Sequence, residues 1–142
     1  MFDCRKTQAG WIKPLDRKII VARRLALRAV EAAESLAMTD ARIILTTVAL
    51  HETAISIARI LVEERLAACV NVAPAVESTY WWEGKIEHSL EYVLMIKTAA
   101  GKVDALRERL LKLHPYELPE FVVIGVESGT DAYLEWIRES VS

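Results

Sequence analysis

The strands of this sequence are apolar on both faces, and that limits the folds open to it. Phe121-Val122-Val123-Ile124-Gly125-Val126, Ile43-Ile44-Leu45 and Tyr92-Val93-Leu94-Met95-Ile96 run without polar interruption. A sheet covered on one side and wet on the other instead alternates apolar and polar residues. Both faces of these strands therefore need cover. Apolar residues make up 53% of the chain, above the usual ~45–50%, in line with more apolar surface than one small core uses.

The remaining periods set the element order. Residues 42–48 (RIILTTV) are short and β-branched, a strand. Residues 51–65 form a helix, with Ala54, Ile57, Ala58, Leu61 and Val62 on one stripe. Residues 68–73 are a strand broken at Pro74, which cannot donate to a ladder. Strand character resumes over 76–82, reverses at Glu83-Gly84, and returns antiparallel over 85–97. Residues 102–114 make a second helix, striped by Val103, Leu106, Leu110 and Leu113 and ended by Pro115. A strand over 120–127 and a short helix over 132–140, capped by Thr130 or Asp131, complete the order. The order β-α-β-β-α-β-α specifies a ferredoxin-like βαββαβ sandwich plus a C-terminal helix, an α+β domain over residues 41–142. Right-handed crossovers put both main helices on one face of the sheet.

The second face is then short of cover. Burying even ~600 Å² there at about 25 cal/mol per Å² is worth on the order of 15 kcal/mol before association costs. Copies of the same chain are the simplest cover, so a homo-oligomer is expected. The hairpin over 76–97 carries Tyr80, Trp81, Trp82 and Tyr92, more rings than one small core absorbs, and aromatic residues are enriched in interface cores.

Residues 1–40 read as an N-terminal extension, with an amphipathic helix over 15–37. Its stripe is mostly alanine (Leu15, Ile19, Ala22, Ala26, Ala29, Ala33, Leu36). Three readings stay open: a helix docked on the domain or a partner, an Arg-rich targeting peptide, or sequence upstream of a natural start at Met38. This extension carries eight basic residues against five acids, and the rest ten against fifteen. An acidic domain gives no electrostatic reason to bind nucleic acid. The segment 91–97 (EYVLMIK) carries one aromatic and no Gly-Phe/Tyr pair, unlike the stacking strand of an RNA-binding sheet. No run approaches the ~18 apolar residues of a membrane span. Cys4 and Cys69 form neither a disulfide framework nor a CxxC pair, which fits a reducing, cytoplasmic setting.

Residues fit for chemistry are few. Cys69 sits in an apolar run, where cysteine usually acts as a small hydrophobe. His114 ends a helix, where an imidazolium favours the dipole. No HxH, HExxH or EF-hand pattern occurs, no nucleophile stands out, and no organic cofactor is expected. Glu91 and Lys97 share one face of a strand otherwise apolar, at its ends or in a cleft. Tyr116-Glu117 lies in a bend bracketed by Pro115 and Pro119.

Several strings carry a family resemblance: Tyr80-Trp81-Trp82-Glu83-Gly84-Lys85, Ile96-Lys97-Thr98, His114-Pro115-Tyr116-Glu117-Leu118-Pro119-Glu120 and Tyr133-Leu134-Glu135-Trp136-Ile137. With the strand 43–47 and the segment 66–71, they resemble, in order over residues 42–139, the CutA divalent-cation tolerance family. The resemblance implies a homotrimer with PII-like packing and a link to tolerance of divalent cations, copper especially; the chain is read as a non-catalytic protein. It implies metal ligation at Cys69 and His114. It also implies an inter-subunit cleft near Tyr80, Trp82, Lys85, Glu91, Lys97 and Tyr116. Thr46 stands where one bacterial relative has a cysteine, so a thiol-rich copper site is not implied. The first alternative is a PII-like signalling module that takes a small molecule or partner protein in that cleft; a further one is an enzyme that uses Lys97 and Glu91.

Overall fold

The computed structural model describes residues 17–37 and 39–142. The chain divides into two units, Met1–Leu36 and Ala37–Ser142, a break a few residues before the expected one. Helix α1 (Arg17–Ala37) is the described element of the first unit. Leu15, Met38 and Cys4 lie outside the described residues.

The second unit runs β1 (Ala41–Val48), α2 (His51–Glu63), β2 (Cys69–Val72), β3 (Val76–Trp82), β4 (Lys85–Ala99), α3 (Val103–Leu113), β5 (Val122–Gly125) and α4 (Asp131–Ser140). A 3-10 turn, Ala100–Lys102, leads into α3. The expected order holds, so the domain is the ferredoxin-like sandwich. The boundaries shift: β5 is four residues rather than eight, because residues 120–121 and 126–127 fall outside the ladder.

The antiparallel sheet runs β2-β4-β1-β5, and β3 continues the β2 edge of β4. β4 makes this possible by its length of 15 residues. Val72 pairs with Leu94, and Val76 with Glu91. Residues 73–75 therefore face only Tyr92 and Val93, a one-residue β-bulge at Pro74. Pro74 has no N–H to offer a ladder, and the bulge removes the need for one. β1 pairs only with the Tyr92–Ala99 half of β4, so the β3–β4 hairpin extends past it as an arm. The arm closes on Glu83 (φ 46°) and Gly84 (φ 82°), two left-handed residues, as a two-residue hairpin turn requires.

Strand period two sorts the faces. Ile44, Thr46 and Val48 of β1, with Leu94 and Ile96 of β4, meet Ala54, Ile57 and Leu61 of α2 and Leu106 and Leu110 of α3 in the core. Arg109 of α3 donates to both oxygens of Glu64 at the end of α2. On the other face, Ile137 of α4 and Val141 just after it pack against Ala41 and Ala99, covering one end. Ile43, Leu45, Thr47, Val93, Met95 and Lys97 share that face, and none of them is fully buried.

Leu110 has no exposed surface and packs within the core cluster. Leu110→Ala should cost about 2–5 kcal/mol, from lost burial plus the cavity left behind. Urea unfolding measures this as a lower midpoint at unchanged slope; a loss under about 1 kcal/mol would contradict the packing.

Candidate functional site

The site begins where α3 stops. Pro115 pushes the residue before it out of the helical region, and His114 is extended (φ −77°, ψ 135°). This turns the imidazole back onto the end of β1, where His114 is buried at 8% exposure. The Tyr116 N–H lies 3.2 Å from Nδ1. An N–H can only donate, so Nδ1 carries the lone pair and Nε2 the proton. Nε2 then donates to the Thr47 carbonyl at 3.0 Å, with Thr46 Oγ1 at 3.2 Å. Burial holds the imidazole below its ordinary value of 6.5, against the opposing pull of the Thr47 carbonyl and the Glu91 charge.

The same bend places Tyr116. Its ring meets the His114 imidazole edge-on at 5.0 Å, and its hydroxyl donates to Glu91 Oε1 at 3.0 Å. Burial first, then the bond to Glu91, pushes the Tyr116 phenol up to about 12, so it remains a donor through the neutral range. Glu91 is 7% exposed and is the last β4 residue in the hairpin ladder before the bulge.

Glu91 lines an open cleft of about 460 Å³ with Thr47, Tyr80, Trp82, Tyr116, Glu117, Leu118 and Glu120. Tyr80 and Trp82 reach it from one face of β3, with Trp81 between them on the opposite face at 69% exposure. Three carboxylates and three rings line the cleft, and among the described residues no lysine, arginine or histidine does.

Of the six residues expected at a cleft, the fold gathers Tyr80, Trp82, Glu91 and Tyr116. Lys85 and Lys97 do not join them. Both share the Glu91 face of β4 but lie six residues away in opposite directions, roughly 20 Å along the strand at ~3.3 Å per residue. Lys85 pairs with Glu87 at 2.6 Å; Lys97 contacts Asn71 Oδ1 and lies 3.8 Å from Cys69 Sγ. Cys69 and His114 are likewise apart. Cys69 sits opposite Lys97, and His114 lies against Thr46 and Thr47 with both ring nitrogens engaged. Among the described residues no group of three or more His, Cys, Asp or Glu side chains is set to hold a metal ion. The cleft adds Thr47, Glu117, Leu118 and Glu120. The proline-bracketed bend signalled Glu117; Thr47 and Glu120 had no signal of their own.

The tautomer gives a pH dependence with a definite sign. The folded state favours neutral His114, whose value is lowered by burial. Its contribution is therefore complete above the unfolded value near 6.5 and falls away as pH drops through the lowered folded value. Urea unfolding at pH 7.5 and at 5 should show stability falling at the lower pH. His114→Ala should cost about 1–3 kcal/mol at pH 7.5 and show a flatter dependence over that interval. An equally steep dependence in the variant would contradict the assignment.

The profile of the CutA1 divalent ion tolerance protein family matches residues 42–140. The divalent-cation tolerance protein CutA of Thermus thermophilus is 44% identical over 98 residues, 69% of this chain and 95% of that protein. Protein CutA of Homo sapiens is 48% identical over 95 residues, 65% of this chain and 53% of that protein. The chain thus spans nearly all of the bacterial relative but about half of the human one. Among solved structures, CutA from Xylella fastidiosa superposes with a TM-score of 0.72 at 45% identity, covering 73% of this chain and all of that one. Fold, family profile and relatives agree with the resemblance carried by the WEGK and HPYELPE strings, and this chain belongs to the CutA1 divalent ion tolerance family.

Proposed function

We propose that this chain is a non-catalytic homotrimer that binds divalent copper, or a similar cation, weakly. The observation that carries the proposal is the sign of the cleft: Glu91, Glu117 and Glu120 line it, with no basic residue among the described ones. Such a concavity concentrates cations. The family and its relative from Thermus thermophilus are named for divalent-cation tolerance. Cys69 and His114, each held by other contacts in one chain, would need ligands from a neighbouring copy or a local rearrangement to take part.

Exposed apolar surface supports the trimer. β5 is exposed at every position, with Val122, Val123 and Ile124 pointing to both faces. The arm presents Trp81, Ile86 and Leu90. Apolar surface of this extent on one domain marks an interaction site. A second reading, a PII-like module that takes a small molecule or partner protein, is favoured by the cleft volume, which lies in the range of small-molecule sites.

Light scattering on the full chain should report three times its 16.0 kDa mass; a single-chain mass would contradict the trimer. Calorimetric titration with Cu²⁺ should give weak, saturable binding that Glu91→Gln lowers about tenfold, or 1.4 kcal/mol. If Glu91→Gln leaves it intact while Cys69→Ser with His114→Ala removes it, the ion sits at the thiol and imidazole and not in the cleft.

A further inference from the structure

We infer that helix α1 is a surface anchor that lies on an anionic lipid bilayer; this goes beyond the cation reading and does not depend on it. Every residue from Ile19 to Ala29 is exposed. Eight of these eleven are apolar, and the other three are Arg23, Arg24 and Arg28. Ile19, Ala22, Ala26 and Ala29 recur at helical spacing along one stripe. Arg24 and Arg28, four apart, share the opposite side. Val21 and Leu25 lie on one flank of those arginines, and Ile20 and Leu27 on the other. Leu25 and Leu27 are each 62% exposed, so the larger apolar side chains are the least covered. A helix of this pattern calls for an apolar surround on three sides and anions on the fourth.

Charge selects the occupant. Residues 17–30 hold Arg17, Lys18, Arg23, Arg24 and Arg28 and no acid. A second copy of α1 would set these like charges against each other, which opposes pairing. A nucleic acid complements the charge, yet its phosphate backbone gives isoleucine, valine and leucine no apolar layer to enter. An anionic bilayer offers both layers in order of depth. Its phosphates accept guanidinium groups bidentately, and hydrocarbon lies just beneath them. Sinking the helix far enough to cover both flanks leaves the arginine heads within reach of the phosphates, because their long stems snorkel upward. No described helix is long and apolar enough to cross a membrane, so α1 lies in the plane of the surface. Residues 41–142 carry ten bases against fifteen acids, so the attraction to such a surface belongs to α1.

The test is flotation of the full chain with vesicles of phosphatidylcholine alone and with vesicles in which about a third of the lipid is phosphatidylglycerol. Binding to the anionic vesicles is expected, at least about tenfold tighter than to the neutral ones. It should weaken between about 0.1 and 0.5 M salt, as the charges are screened. The triple variant R23Q/R24Q/R28Q should lower the affinity about tenfold, and L25D/L27D should abolish binding. Both variants lie in the first of the two units, so the urea midpoint of the domain should not move. Equal binding to the two vesicles, no binding to either, or an affinity untouched by both variants overturns the inference. So does displacement of the vesicles by duplex DNA. A midpoint lowered by the arginine variant would put α1 on the acidic domain of its own chain, and a native protein that starts at Met38 would lack the helix; either result overturns it as well. Cu²⁺ titration should be the same for both variants as for the parent chain, so the cation reading stands or falls separately.

Discussion

The two hydrogen bonds of the His114 ring place everything at the mouth of the cleft. Nε2–H binds the Thr47 carbonyl, and Nδ1 receives the Tyr116 N–H. The first ties the end of α3 to β1; the second fixes the turn that follows. Tyr116 then reaches Glu91 across the start of the sheet. Glu117, Leu118 and Glu120 follow on the same short segment and form the remaining wall. A net hydrogen bond is worth only about 0.5–1.5 kcal/mol, but each group here is buried or half-buried, so leaving a partner unpaired costs more than the bond contributes. The network therefore specifies one geometry of the bend.

The second constraint is the length of β4. A strand of ordinary length pairs with one neighbour per edge. This one holds β1 on one side and both β2 and β3 on the other, and the bulge at residues 73–75 absorbs the break between them. The half of β4 beyond β1 becomes an arm whose free edge and exposed rings have no partner within the described residues. Glu91 sits at the junction of arm and sheet, and this is how a carboxylate comes to be buried on a strand. The cleft and the apolar surface thus share one origin, a strand too long for the sheet around it.

Much of this was legible in the sequence. Strand and helix periods gave the element order, and Leu106, Leu110, Ala54, Ile57 and Leu61 reach the core as their spacing requires. Glu83-Gly84 makes the expected turn. Side-chain alternation correctly placed Glu91, Val93, Met95 and Lys97 on one face, but alternation fixes a face and not a position along it. Lys85 and Lys97 are therefore on the side of Glu91 and far from it. The bulge was hidden because Pro74 announces a break in a strand without saying that the partner strand continues. His114 was legible as a helix end; its engagement through both nitrogens depends on β1, distant in sequence, which no local pattern encodes. Glu120 reaches the cleft because β5 starts only at Val122, two residues later than strand propensity indicates.

His114 is thus a neutral Nε2–H imidazole wedged between β1 and the bend that shapes the cleft. Long-range ¹H–¹⁵N correlation spectroscopy of the imidazole nitrogens at neutral pH reports this state directly. An unprotonated Nδ1 and a protonated Nε2 are expected for His114. A proton on Nδ1, an imidazolium, or the rapidly averaged pattern of a solvated ring would contradict it.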